Sequence, residues 1–214
     1  MTKEKNTDLL FQHDIQDAML HGKIFERIFH NNRLKTVLKA WNYSGKKILD
    51  LGCNTGILLI PLTEKGFQVI GADISKVDII KARKELLNKN LSTDLLLVDG
   101  KQSPFKENSF DIILLIDVLE HINNAQEMIN SIQKILKPGG VIIVTVPWKY
   151  HPVVKFSFIR KFFSSRKTID DAPDIPFTFS KIKEMFATFK LKKWSLKFYY
   201  TCIFAIFEKE NINP

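Results

Sequence analysis

Three aspartates, Asp50, Asp73 and Asp99, each stand at or just beyond the end of a short apolar run. A carboxylate accepts two hydrogen bonds side by side, so it suits the vicinal hydroxyls of a ribose better than a neutral side chain does. The first acid leads into Leu51-Gly52-Cys53-Asn54-Thr55-Gly56, where small residues separate two apolar runs. That pattern is a strand, a tight glycine turn and the start of a helix. In this arrangement backbone N–H groups and a helix N-terminus approach a nucleotide-like ligand. Asp73 follows Gly52 by 21 residues, the interval at which an acid reaches ribose hydroxyls in such folds. Asp99 then stands where it accepts from the exocyclic amine of adenine. The turn reads Gly52-x-Asn54-x-Gly56 and lacks the Gly-x-Gly-x-x-Gly spacing that a dinucleotide pyrophosphate prefers. It is better suited to an adenosine carrying an amino-acid tail. Each residue also has a structural reading: Asp50 bonding the loop, Asp73 capping a helix that begins near Ser75, and Cys53 as a small loop residue.

A second constellation, Asp117-x-x-Glu120-His121, follows the fourth apolar run. Histidine titrates near neutrality and can take a proton from a hydroxyl nucleophile, which makes His121 the candidate catalytic residue. Asp, Glu and His together can also gather a divalent ion. The competing reading, which we favour, is that they shape a pocket and order the following helix without metal.

These residues need a scaffold that brings strand ends together. The apolar periodicity predicts strands at Lys47–Leu51, Gln68–Asp73, Leu95–Val98, Asp111–Ile116 and Val141–Val146. It predicts helices at Gly56–Lys65, Lys76–Asn88 and Asn124–Leu136, the last stopped by the turn Lys137-Pro138-Gly139-Gly140. Two helical segments precede them, one carrying Leu9, Leu10, Ile15, Met19 and Leu20, the other running from Arg33 to Trp41. Near-continuous apolar strands alternating with amphipathic helices make a parallel sheet covered on both faces. The chain ends differently, with a short helix Ser180–Thr188 and two strands around Leu191–Leu196 and Tyr199–Phe207. Strands that follow one another without a helix between them imply an antiparallel pair at the sheet edge.

At 214 residues, 45% hydrophobic and 26% charged, the chain fits one ordinary domain and is not disordered throughout. No apolar run approaches the ~18–20 residues that cross a bilayer, and the N-terminus lacks the apolar core of a secretion signal. With Cys53 and Cys202 as the whole cysteine complement, a cytoplasmic, reduced protein is expected. Net charge is +9, and no acid occurs between Glu127 and Asp170 while Lys134, Lys137, Lys149, Lys155, Arg160, Lys161, Arg166 and Lys167 fall in that window. Such a field favours an anionic partner, or is simply a solvated basic face.

Six segments, taken in order, resemble the class I S-adenosylmethionine-dependent methyltransferases, specifically the methyltransferase type 11 and ubiquinone-biosynthesis O-methyltransferase group. They are Ile48–Gly56, Val69–Ser75, Val98-Asp99-Gly100 with Pro104-Phe105, Ser109-Phe110-Asp111, Asp117–His121 and Leu136–Gly140. The resemblance implies a Rossmann-like, doubly wound α/β fold: a mostly parallel seven-stranded sheet with helices on both faces and an antiparallel edge strand. It implies S-adenosyl-L-methionine as cofactor, with Gly52 and Gly56 at its methionine tail, Asp73 on the ribose and Asp99 on the adenine amine. Asp50, Asn54, Ile74, Gly100 and Asp117 complete the expected cofactor set. Arg33 lies near where the ubiquinone-type enzymes place an arginine on the cofactor carboxylate, a task its two-pronged fork suits. Similar acid-x-x-Glu-His segments bind magnesium in those enzymes. Asn54 departs from the family's usual glycine, and asparagine tolerates the left-handed backbone that such a turn requires.

The chain then reads as a single methyltransferase domain over 1–214. It has N-terminal helices at 1–45, a cofactor-binding core at 46–147, a basic aromatic lid insertion at 148–178 and a C-terminal helix and strand pair at 179–214. The expected acceptor is a small molecule or a lipid-like compound, methylated at oxygen or carbon. RNA is the alternative acceptor, and a non-catalytic cofactor-binding sensor or partner subunit the alternative role. Within 151–167, Val154, Phe158, Ile159, Phe162 and Phe163 share one helical face with basic residues beside it. That face either closes a pocket or makes a peripheral contact with an anionic membrane.

Overall fold

The computed structural model describes residues 24–44, 46–100, 103–150, 177–197 and 202–211. Elements are numbered through these residues. The N-terminal helix α1 (Ile24–Leu38) leads to β1 (Lys47–Leu51), α2 (Leu59–Glu64), β2 (Gln68–Asp73), α3 (Lys76–Asn88) and β3 (Asp94–Leu97). Next come β4 (Phe110–Ile116), a single 3₁₀ turn (Leu119–His121), α4 (Ala125–Ile135) and β5 (Leu136–Pro147). The last described elements are α5 (Phe179–Met185), β6 (Phe189–Lys197) and β7 (Cys202–Lys209). The first expected helix, around Leu9 to Leu20, and the segment 151–167 lie outside the described residues.

The seven strands form one sheet in the order β3-β2-β1-β4-β5-β7-β6. Strands β1 to β5 pair in parallel. The closing pair is antiparallel as expected: β7 runs against both β5 and β6, and β6 forms the edge. The order grows outward from β1 to β3 and then resumes on the other side of β1 at β4. This reversal opens a crevice at the carboxyl ends of β1 and β4, the position where open α/β sheets bind ligands.

Alternation along each strand divides the core between the two faces. Leu49, Leu51, Ile113, Leu115, Ile142 and Val144 pack against α4 and α5. Ile48, Ile112, Leu114, Val141 and Ile143 pack against α1, α2 and α3 through Val37, Leu59, Leu62 and Ile79. Both faces of β1 and β4 are therefore buried, which is why their sequences read as continuous apolar runs. On α4, Ala125, Met128, Ile129, Ile132 and Ile135 make one buried stripe at helical spacing. At the sheet edge, Phe186 stacks on Phe207 with ring centroids 4.5 Å apart, and Phe179 stacks on Trp194 at 4.0 Å.

β5 begins at Leu136 and takes in Lys137-Pro138-Gly139-Gly140, expected as a turn, with a register shift against β4. Two helix boundaries also differ from the sequence reading for local reasons. Helix α1 starts before Arg33 and stops at Leu38, where a tight bond from Ala40 N to Val37 O closes its last turn and leaves Trp41 beyond it. Helix α2 begins at Leu59, not Gly56, because Asn54 (φ 48°) and Gly56 (φ 87°) are left-handed and cannot join a right-handed helix. By contrast, α3 occupies the predicted span. Ser75 caps it, its hydroxyl accepting from the backbone N–H of Asp78 at 3.2 Å.

Candidate active site

The crevice at the carboxyl end of β1 holds a pocket lined by Arg33, Leu34, Val37, Asp50, Gly52, Cys53, Asn54, Ile57, Leu58 and Ile116. Its floor is the turn after β1. Gly52 N and Cys53 N both donate to Ala72 O, at 2.8 and 3.1 Å, tying the turn to the end of β2. Gly52 has φ 82°, and a Cβ there would run into Val118 Cγ2 in the segment after β4. Glycine is thus required twice, for conformation and for close approach. Asn54 adopts the left-handed conformation that its residue type suggested, and its side-chain oxygen accepts from Thr55 N at 2.8 Å.

Asp73 joins this turn directly. Its Oδ2 accepts from Asn54 N at 2.8 Å and its Oδ1 accepts from Ser75 N at 2.9 Å. Helix capping falls to Ser75, which sets aside that alternative for Asp73. Each carboxylate oxygen keeps acceptor capacity beyond the single backbone bond it makes. Asp99 is exposed and lies beside Asp73, because Val98 N donates to Asp73 O at 2.9 Å. Ile74, next to Asp73 in the chain, is 66% exposed. Gly100 is buried against Met128 of α4.

Asp50 is 2% exposed, and its Oδ2 has no hydrogen-bond partner among the described residues. Burial and the nearby Asp73 carboxylate push its pKa up to about 7. The loop-bonding alternative for Asp50 thus leaves one oxygen unexplained. Cys53 is also buried, and burial together with Asp50 raises its thiol far above the ordinary range. It is an inert packing residue, so iodoacetamide should leave Cys53 unmodified in the folded protein at pH 8, as read by peptide mass spectrometry.

Arg33 reaches across from α1 to form an ion pair with Asp117 Oδ2. Asp117 has φ 57° and is fixed by two further contacts: Thr145 Oγ1 donates to its Oδ1 at 2.6 Å, and its own N–H donates to Thr145 O at 3.0 Å. Thr145 is fully buried and was missed by sequence reasoning. Its signal was a lone hydroxyl inside the otherwise apolar Val141–Val146 run. Tyr43 was missed as well. It packs in the same face of the core as Val37, its hydroxyl donating to Val37 O at 2.6 Å.

The residues Asp117, Glu120 and His121 do not converge. Asp117 faces Arg33, whereas Glu120 is buried with an unpartnered Oε2 and His121 is exposed. Burial raises the Glu120 pKa to about 8, partly offset by Arg33. Among the described residues no group of three His, Cys, Asp or Glu side chains is placed to hold a metal ion. Backbone geometry explains the divergence: a 3₁₀ turn spaces successive side chains about 120° apart, so neighbours at 120 and 121 cannot share a face.

The sheet order is the one that the resemblance to class I S-adenosylmethionine-dependent methyltransferases implied. In comparison with known proteins, residues 49–144 match the family described as "Methyltransferase domain". It is 34% identical over 110 residues to a ubiquinone biosynthesis O-methyltransferase of Bartonella bacilliformis, covering 50% of this chain and 44% of that protein. A Chelativorans protein of the same description is 35% identical over 102 residues, covering 48% and 40%. The chain thus spans less than half the length of these curated relatives. Among solved structures, a Pyrococcus horikoshii OT3 protein superposes with a TM-score of 0.71 at 18% identity, covering 86% of this chain and 92% of that one. The magnesium protoporphyrin IX methyltransferase of Synechocystis, with bound SAH, gives 0.67 at 20% identity, with 88% of each chain covered. These two likenesses concern the fold. No helix among the described residues is long and apolar enough to cross a membrane.

Proposed function

We propose that this chain moves the methyl group of S-adenosyl-L-methionine to an oxygen or carbon atom of a small-molecule or lipid-like acceptor. The observation that carries this reading is the pocket at the sheet reversal. It sets a buried, unsatisfied carboxylate (Asp50) and an arginine (Arg33) around a glycine turn whose free end is tied to Asp73. One acid and one base in a single small pocket match the ammonium and carboxylate of an amino-acid tail. Asp73 offers its remaining lone pairs to the ribose hydroxyls, Asp99 accepts from the adenine amine and Ile74 covers a face of the ring. Gly52, Asn54, Gly56 and Gly100 keep the backbone close to the ligand.

When bound, the cofactor supplies a methyl group already activated on a sulfonium. The protein's own work is alignment of an in-line displacement and exclusion of water. Arg33 lines the cofactor pocket and pairs with Asp117 in the segment after β4, where the acceptor is expected. His121 is proposed to accept the acceptor's proton from the exposed side of that segment. Oxygen as the accepting atom draws support from the curated relatives, which are O-methyltransferases by name. The segment 148–178 is proposed as the acceptor-side lid, with 151–167 as the part that would meet a lipid-like substrate or an anionic membrane.

Mass spectrometry of the purified protein is expected to find S-adenosylmethionine or S-adenosylhomocysteine carried along. Incubation with methyl-labelled cofactor and a panel of catechols, quinone precursors and RNA should then label a small molecule. Absence of cofactor binding in calorimetry would favour a scaffold role, and label in the RNA alone would move the acceptor to nucleic acid.

A further inference from the structure

Thr145 is a fully buried hydroxyl residue in a strand that is otherwise apolar from Val141 to Val146. Strand alternation places it on the α1 side of the sheet, with Val141 and Ile143. Its neighbours across the sheet are Ile116 of β4 and Phe204 of β7. A valine would fill that place with nearly the same shape, and a buried hydroxyl costs free energy unless it is bonded. Its partner accounts for it. The hydroxyl donates to Asp117 Oδ1 at 2.6 Å, a short bond of the charge-assisted kind.

Thr145 holds Asp117 twice. Its backbone oxygen accepts from Asp117 N at 3.0 Å, and its hydroxyl fixes the carboxylate. Asp117 is left-handed at φ 57°, a conformation that aspartate tolerates better than most residues. With Oδ1 taken by Thr145, Oδ2 pairs with Arg33, which lines the cofactor pocket together with Ile116. A chain of contacts thus runs from the interior of β5 to the pocket wall. Arg33 also acts electrostatically on the buried Glu120. It is therefore drawn toward two carboxyl groups, and the Thr145 hydroxyl fixes the orientation of one of them. Buried ion pairs contribute little net stability, because desolvation offsets their attraction. The position of this pair on the pocket wall gives it a different use.

We propose that Thr145 is a positioning residue of the cofactor site: its hydroxyl orients Asp117, and Asp117 presents the Arg33 guanidinium to the carboxylate of the ligand's amino-acid tail. This rests on the cofactor reading above and deepens it, because a strand that touches no ligand atom then shares in ligand recognition. Arginine carries large rotamer freedom, and a guanidinium already ordered in the free protein loses less of it on binding. Its five donors can serve Asp117 on one edge and a ligand carboxylate on the other. Removing the hydroxyl leaves the Asp117 carboxylate free to turn, and the ligand must then order Arg33 itself. The loss falls on ligands that carry the carboxylate and spares those that lack it.

The test is calorimetry of the full chain with two probes: S-adenosylhomocysteine and its decarboxylated analogue, which keeps the adenosine and the amine. Thr145→Val retains the β-branched shape and the backbone bond and removes only the hydroxyl. It is expected to weaken S-adenosylhomocysteine about 3- to 10-fold, the range set by ordering one long side chain. The affinity of the analogue should stay within about twofold. Thr145→Ser, which keeps the hydroxyl, should preserve the natural ratio of the two affinities. On an Arg33→Ala background, Thr145→Val should have no further effect on either probe, because the chain of contacts passes through Arg33.

Equal weakening of both probes by Thr145→Val would leave Thr145 a packing role alone and overturn the inference. So would unchanged binding, a serine variant that loses the ratio, or a full loss that persists without Arg33. Each of these outcomes leaves the cofactor reading intact, since the natural chain binds. Failure of the natural chain to bind S-adenosylhomocysteine would overturn both. Thr145→Ala, which adds no atom, reads the same ratio if the valine variant does not fold.

Discussion

Gly52→Ala is expected to lower stability by about 2–4 kcal/mol and to abolish measurable cofactor binding. The stability figure joins a left-handed backbone, costing roughly 1–2 kcal/mol for a residue with a Cβ, to overpacking of similar size. The new methyl group collides with Val118 Cγ2, so either the turn retreats from the pocket or the segment after β4 does. Both movements disturb the same crevice. The Gly52 and Cys53 N–H groups are anchored to Ala72 O, so the turn cannot shift without losing those bonds. Urea denaturation and calorimetry with S-adenosylhomocysteine measure the two effects separately. Val118→Ala placed on the Gly52→Ala background should recover part of the stability by removing the collision, but not the part owed to the backbone. Full recovery, or none, would show that the two contributions are wrongly divided.

Asp73→Ala is the second large effect. Cofactor affinity is expected to fall by about 1–3 kcal/mol, roughly 5- to 150-fold, through loss of charge-assisted hydrogen bonds. The structure adds a cost that spacing alone did not reveal. Asp73 holds Asn54 N on one oxygen and Ser75 N on the other, so the alanine variant also unfastens the glycine turn. Asp73→Asn separates the two roles. Its side-chain oxygen still accepts one of the backbone bonds, so the turn is largely kept, while the charge and the paired acceptors are lost. Asn should therefore bind more tightly than Ala but more weakly than the natural chain. Unchanged cofactor affinity in Asp73→Ala would remove the ribose assignment.

Much of the scaffold was legible because it follows from patterns with a short range. The apolar run of β1 and the stripe Ala125-Met128-Ile129-Ile132-Ile135 each declare their element through spacing alone. Boundaries were less legible where two left-handed residues, Asn54 and Gly56, delayed α2 to Leu59. Of the candidate site, the glycine turn, Asp50 and Asp73 were found where the sequence suggested, since strand ends in a doubly wound sheet meet at one edge. Asp117, Glu120 and His121 lie close in sequence without converging, because adjacency in sequence does not become adjacency in space around a 3₁₀ turn.

By itself, the sequence determined the alternation of strands and helices, the turn chemistry of Gly52-x-Asn54-x-Gly56 and the acids at the strand ends. These depend on backbone conformation and side-chain periodicity, which neighbours in the chain impose. Only the tertiary structure decided that Arg33 pairs with Asp117, that Thr145 fixes Asp117 from the adjacent strand and that Asp50 is left with an unsatisfied oxygen. Burial and long-range pairing set those states, and both come from elements distant in sequence. The charge state of the pocket is consequently a property of the packed sheet and not of the motif it contains.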